Sequence, residues 1–213
     1  MRGTTSAMNF GFFPFIDKGY HTLPKSLILA IIIVMKRKIF ISINVPEKIR
    51  KRLILATDKW QDLPIKWVKE PNLHVTLFFL GYLDDETTRK VCETVAETVK
   101  NYDIFDINFN EITLAPEKDP RMVWLIGEPS DTLLKLYEEI EKGLGIFISP
   151  KKSFRPHITL GRIRKNKWED LENAPEIKEK FALSLSIDDI DVMASHFEPS
   201  GGEYALIEKC PLK

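Results

Sequence analysis

Two stretches of this chain spell nearly the same strand. "NLHVTLFFLG" carries His74, Val75, Thr76 and Leu77, and "RPHITLGRI" carries His157, Ile158, Thr159 and Leu160, 83 residues further on. Each is His-x-Thr-Leu with a β-branched residue at x, and each runs on to a glycine. On a strand, residues i and i+2 share a face. His74 and Thr76 therefore project together, with Val75 and Leu77 turned the other way; His157 and Thr159 do the same against Ile158 and Leu160. A strand-helix-strand-strand-helix unit fills the interval, so the chain reads as two related halves whose polar strand faces can meet across a groove.

The remainder alternates strand and helix signals. "KIFISINV" is a strand ending at Pro46. "PEKIRKRLILATDKW" opens with proline at a helix start and sets Ile49, Leu53 and Ala56 on one face, with Leu55 nearby. "DDETTRKVCETVAETVKNY" has acidic capping residues and Val91, Val95 and Val99 at spacing four. "IFDINFNEITLAP" and "RMVWLIGEP" read as strands, and "SDTLLKLYEEIEKGLG" as a helix capped by Ser/Asp and closed by glycine. "KWEDLENAPEIKEKF" is expected to be helical, broken at Pro175, and "FALSLSIDDIDVMASHFEP" and "GGEYALIEKCPL" to be two strands joined by a Gly-rich turn. The pattern is α+β with antiparallel-type pairs. There is no G-x-x-x-x-G-K loop and no G-x-G-x-x-G after a strand, which removes the support for nucleoside triphosphate and dinucleotide readings.

Residues 1–34 read differently. They lack a clear period and end in "LILAIIIV", Leu27 to Val34, too short for a bilayer crossing of about 20 residues. "MKRK" follows where a signal cleavage site would stand. The expectation is an N-terminal extension over 1–34, disordered or translated from upstream of Met35, followed by one domain over 35–213.

The chain has four histidines, and half of them sit in the matched words. A strand histidine taken alone is ordinarily a hydrogen-bonded structural residue; the pair is what suggests chemistry. Two imidazoles and two hydroxyls suit a phosphodiester. A neutral imidazole takes a proton from water, and an imidazolium gives one to the departing alkoxide. The threonine hydroxyls donate to non-bridging oxygens, where charge must be held. Arg155 and Arg162 lie close by in sequence and can add charge-assisted contacts. His-x-Thr is not a zinc pattern, and no metal or other cofactor is expected.

Formal net charge is zero, which argues against bulk electrostatic coating of nucleic acid. Yet seven basic residues, from Lys151 to Lys167, surround the second motif without one acidic residue, an anion-site signature. Cys92 and Cys210 stand far apart, which fits a reducing, cytoplasmic setting. Phe154 is a candidate for stacking on a base, with core packing the alternative. Trp67, Trp124 and Trp168 read as core or groove-wall residues, Tyr204 as structural, and His21 and His196 as non-catalytic.

"HVTLFFLG" and "FRPHITLGR" resemble the two His-x-Thr-x motifs of the two-histidine phosphoesterase superfamily. With "RKIFISINVP" at the start and "ASHFEPSGGEYALIEKCPL" at the end, the chain from about Met35 to Leu212 resembles the RNA 2′,3′-cyclic phosphodiesterases, historically called 2′–5′ RNA ligases. The resemblance implies a bilobal α+β fold, two pseudo-symmetric lobes each with an antiparallel sheet and outer helices around a central cleft. It implies hydrolysis of RNA or nucleoside 2′,3′-cyclic phosphate to the 2′-phosphate; beside it, no metal and no membrane are expected, and a monomer is the default. His74 would then be the proton donor to the 3′ oxygen and His157 the proton acceptor from water, with Thr76, Thr159, Arg155 and Arg162 on the phosphate. The motifs themselves are too symmetric to say which histidine plays which part. Two other readings stay open: ATP-independent joining of RNA ends through a 2′–5′ linkage, with tRNA halves as the trial substrate, and a cleft that binds an RNA end or nucleotide without chemistry.

Overall fold

β-Branched runs, capped amphipathic helices and short turns build nine strands and four α-helices in the computed structural model, which describes residues 36–145, 154–196 and 203–213. The expectations placed on residues 1–34, on His21 and on Lys151 and Lys152 lie outside the described residues. The strands are β1 (Arg37–Asn44), β2 (Ile65–Trp67), β3 (His74–Leu83), β4 (Phe105–Ala115), β5 (Met122–Gly127), β6 (His157–Ile163), β7 (Lys178–Ile187), β8 (Asp189–His196) and β9 (Glu203–Pro211). The helices are α1 (Glu47–Thr57), α2 (Asp85–Val99), α3 (Asp131–Leu144) and α4 (Lys165–Glu169).

The strand path runs β7-β4-β5-β6-β3-β1-β8-β9, with β2 added beside β6. At its centre β6 and β3 meet antiparallel through one residue pair, Val75 opposite Ile158. Four strands lie on each side of that joint, and the sides correspond. In one, β1 leads through α1 to the motif strand β3, its antiparallel neighbour. In the other, β5 leads through α3 to the motif strand β6, again its antiparallel neighbour. The path cannot be flat. β7 and β8 stand six steps apart along it, about 29 Å in a flat sheet, yet only Asp188 separates them in the chain. The two halves must fold toward each other about the β3–β6 joint.

Burial follows the alternation. Ile39, Ile41 and Ile43 of β1, Val75 and Leu77 of β3, and Ile158 and Leu160 of β6 enter the core. Val91, Val95 and Val99 bury one stripe of α2, and Leu133, Leu136 and Ile140 one stripe of α3. The Asp84 carboxylate caps α2 by accepting from the Thr87 amide at 2.8 Å, and Ser130 caps α3 by accepting from the Leu133 amide. Gly145 ends α3 in a left-handed conformation.

Three local expectations are corrected. Leu55 points out of α1 and is exposed; Leu53 and Thr57 are its buried positions. The helical reading of "KWEDLENAPEIKEKF" holds only for its first three residues, 167–169, the end of α4; from Lys178 the chain is strand, because "KEKFALSLSI" pairs with β4 from Phe105 to Thr113 and buries Leu183, Leu185 and Ile187. The run "FALSLSIDDIDVMASH" is two strands rather than one. It breaks at Asp188 and passes from the β4 side to the β1 side of the molecule. No helix among the described residues is long and apolar enough to cross a membrane.

Candidate active site

The joint of the two halves sits on the x residues of both motifs. From Val75 opposite Ile158, the antiparallel count sets His74 opposite Thr159 and Thr76 opposite His157. With Val75 and Ile158 buried, the four polar side chains take the opposite face. His74, Thr76 and Thr159 line a groove there, with Arg162 beside them. The groove encloses about 130 Å³, below the roughly 300–1,000 Å³ that swallows a drug-sized ligand.

Strict alternation would turn Arg162 away from Thr159. A β-bulge reverses this. Against β5, Thr159 faces Trp124 and Gly161 faces Val123, which leaves Leu160 as an extra residue in β6. β3 does the same against β1: Thr76 faces Ser42 and Phe78 faces Ile41, with Leu77 as the extra residue. The leucine of His-x-Thr-Leu is the bulge in both halves. Beyond it the parity flips, and Phe79 in one strand and Arg162 in the other enter the groove.

Each imidazole is clamped two residues back. His74 Nδ1–H donates to the Asn72 carbonyl at 2.7 Å, and His157 Nδ1–H donates to the Arg155 carbonyl at 2.9 Å. A carbonyl only accepts, so the proton of each neutral ring is fixed on Nδ1 and Nε2 is the working nitrogen. His74 Nε2 lies 2.9 Å from Thr76 Oγ1. The rings differ in their surroundings. His157 stacks face to face on Trp124, centroids 4.0 Å apart. His74 is boxed by Phe40 at 5.1 Å and, edge to face, by Tyr204 at 5.3 Å.

Burial pushes the His74 imidazole below its ordinary 6.5; the Asn72 carbonyl pulls it up, and the charges of His157 and Arg162 push it down again. Burial also lowers His157, opposed by the Arg155 carbonyl. Lys38 and Arg162 are the charged side chains of the groove wall, and no carboxylate lines it among the described residues. The site is built to receive an anion, whose charge would return protons to the imidazoles. No group of three or more His, Cys, Asp or Glu side chains gathers as a metal site among the described residues.

Of the residues singled out in the sequence, His74, Thr76, Thr159 and Arg162 line the groove, and His157 stands beside them across the joint. Arg155 contributes its carbonyl and exposes its side chain. Phe154 is not brought in; its ring stacks on Tyr137 of α3, which in turn stacks on Phe78. Lys38, Phe40, Ser195 and Tyr204 are wall residues not expected from the sequence, and Trp124, read there as core or groove wall, is the partner of His157. Alternation in "RKIFISIN" puts Lys38 and Phe40 opposite the isoleucines, a signal that was there to use. Tyr204, Ser195 and Trp124 reach the site only through strand pairing.

A family model described as the 2′-5′ RNA ligase superfamily matches residues 45–196. A protein of Thermotoga maritima called RNA 2′,3′-cyclic phosphodiesterase is 30% identical over 177 residues, 80% of this chain and 93% of that one. Its namesake in Methanothermobacter thermautotrophicus is 26% identical over 180 residues, 82% and 98% of the two chains. Among solved structures, a Thermus thermophilus protein called TT0787 superposes with a TM-score of 0.70 at 25% identity, over 82% of this chain and 97% of that one. E. coli LigT complexed with 3′-AMP has the same fold, with a TM-score of 0.67 at 24% identity, over 83% and 98%.

Proposed function

The chain belongs to the 2′-5′ RNA ligase superfamily, and we propose that its groove opens RNA 2′,3′-cyclic phosphates to 2′-phosphates without a metal ion. The observation that carries this reading is the pair of clamped histidines. Two imidazoles, each with Nδ1–H held by a backbone carbonyl, offer two Nε2 atoms on either side of one two-fold joint. A phosphodiester hydrolysis needs one proton taken and one given, and this arrangement supplies both.

In this reading His157 Nε2 removes a proton from water as the water oxygen bonds to phosphorus. The bond from phosphorus to the 3′ oxygen breaks, and His74 Nε2 delivers its proton to that oxygen. The product is a 2′-phosphate with a free 3′-hydroxyl, and the charges on the two rings have exchanged. The resemblance assigns these two roles, and the Trp124 face against His157 supports a cation forming there. Thr76 and Thr159 donate to the non-bridging oxygens, and Arg162 holds their charge. Each proton transfer contributes roughly 10²–10⁴-fold in rate. The same two histidines run the same ring opening when an RNA 5′-hydroxyl replaces water: its oxygen bonds to phosphorus as the bond to the 3′ oxygen breaks, which leaves a 2′–5′ linkage and keeps end joining as a second reading in line with the family description.

The test is product analysis on an RNA ending in a 2′,3′-cyclic phosphate, in excess EDTA. The expected product is the 2′-phosphate. A 3′-phosphate product, or activity that vanishes with EDTA and returns with a divalent cation, would overturn the reading. Supplying tRNA halves and seeking a 2′–5′ junction tests the joining reaction.

A further inference from the structure

Beside the histidines, the least explained side chains are large apolar ones left in water. Phe79 is 71% exposed and Tyr82 63% exposed, both on β3. Three residues apart, they would ordinarily face opposite ways. A second bulge prevents this. Tyr82 pairs with Lys38 and Phe79 with Phe40, while Leu80 is left as the extra residue. Gly81, opposite Ile39, takes a φ of 78°, a conformation that favours glycine. Directly opposed residues share a face, and Lys38 and Phe40 both line the groove. The bulge therefore turns both rings toward the groove side. They stand two β1 residues apart, about 6.7 Å.

We propose that Phe79 and Tyr82 form a stacking platform for the last two bases of a single-stranded RNA whose terminal phosphate sits at the histidines, with Lys38 holding the phosphate between them. The inference rests on the cyclic phosphodiesterase reading and adds to it the substrate class, an oligonucleotide rather than a mononucleotide. Three observations select this occupant. The rings continue the groove wall away from His74, with the Phe79 ring 6.2 Å from that of Phe40. The charged groups of that wall are Lys38 and Arg162, with no carboxylate among the described residues. Exposed aromatic rings on a sheet face are how protein sheets take two or three unstacked bases, since every base has a π face. A duplex keeps its bases paired and cannot use the platform.

The experiment compares kcat/KM for a dinucleotide and a mononucleotide, each ending in a 2′,3′-cyclic phosphate. The native chain is expected to prefer the dinucleotide. Tyr82→Ala reduces the dinucleotide-to-mononucleotide ratio by roughly 5- to 100-fold, the range base–aromatic stacking supplies. Tyr82→Phe keeps the ratio, and so does Leu55→Ala, which removes an equally exposed side chain on α1. A ratio that Tyr82→Ala leaves intact overturns the platform. If the native chain opens neither substrate, the catalytic reading fails, and the platform is judged by anisotropy of a labelled single-stranded hexaribonucleotide ending in a 3′-phosphate. Weaker binding by Tyr82→Ala supports it, and equal affinity overturns it. A dimer that Tyr82→Ala dissociates while the ratio stays intact assigns the face to a second copy of the chain instead.

Discussion

His74 and His157 are held alike and titrate alike in direction. Both Nδ1 protons go to carbonyls two residues back, and burial lowers both imidazoles from 6.5. The pH profile of kcat/KM reports the free enzyme's acid and base. With both groups lowered, the bell is predicted to peak on the acid side of pH 6.5; a maximum above pH 7 in a rate-against-pH series would contradict it. Asp191 gives a second prediction. It stands next to Ser42 on β8, and Ser42 stands next to Thr76. Burial pushes its carboxyl up to about 6, against the pull of Lys209 and helped by Asp189. An acid raised in the folded state is protonated there more than in the unfolded chain, so its contribution is greatest at low pH and is lost as pH rises through about 6. Asp191→Asn is expected to stabilise the fold by about 1–3 kcal/mol at pH 8 and by less at pH 5. Denaturant melts at the two pH values check this, and a larger gain at pH 5 would refute it.

At the scale of elements, the bulges do what alternation cannot. Leu77, Leu80 and Leu160 are extra residues that re-aim Phe79, Tyr82 and Arg162. The motif strands and the alternation around His-x-Thr were legible in the sequence because both faces of each strand carry a clear polar or apolar choice. The bulges were not, since a single extra leucine among leucines leaves no local mark. The start of β7 was also hidden. "EIKEKF" has helical composition, and only its partner β4 makes it strand. The packing of β2 on β6 was equally invisible, and it explains Gly161. A Cβ there would lie 2.5 Å from Ile65 Cγ2 and 3.0 Å from Trp67 Cε3. Gly161→Ala is predicted to destabilise by roughly 1–3 kcal/mol, as overpacking does, and to lower activity by displacing Thr159 and Arg162 on the same strand. Thermal melts with kinetics on one preparation test both parts; an unchanged Tm would argue against close packing at this strand.

At the scale of the molecule, one sequence pattern repeated at 83 residues becomes one local two-fold. The halves meet at Val75 and Ile158, and the single-residue link between β7 and β8 forces them to fold toward each other. The joint itself sets an imidazole from each half on one face of the sheet. Symmetry supplies the pair; the neighbours break it, with Trp124 stacked on one ring and Phe40 and Tyr204 around the other. The central claim is that the two histidines act as one acid/base unit. Turnover of a 2′,3′-cyclic nucleotide by His74→Ala and by His157→Ala, with circular dichroism to confirm that each variant folds, tests it most directly. Each substitution alone is expected to lower kcat by roughly 10²–10⁴-fold, and the double variant to lose little more. Folded single variants that turn over at the native rate would contradict it.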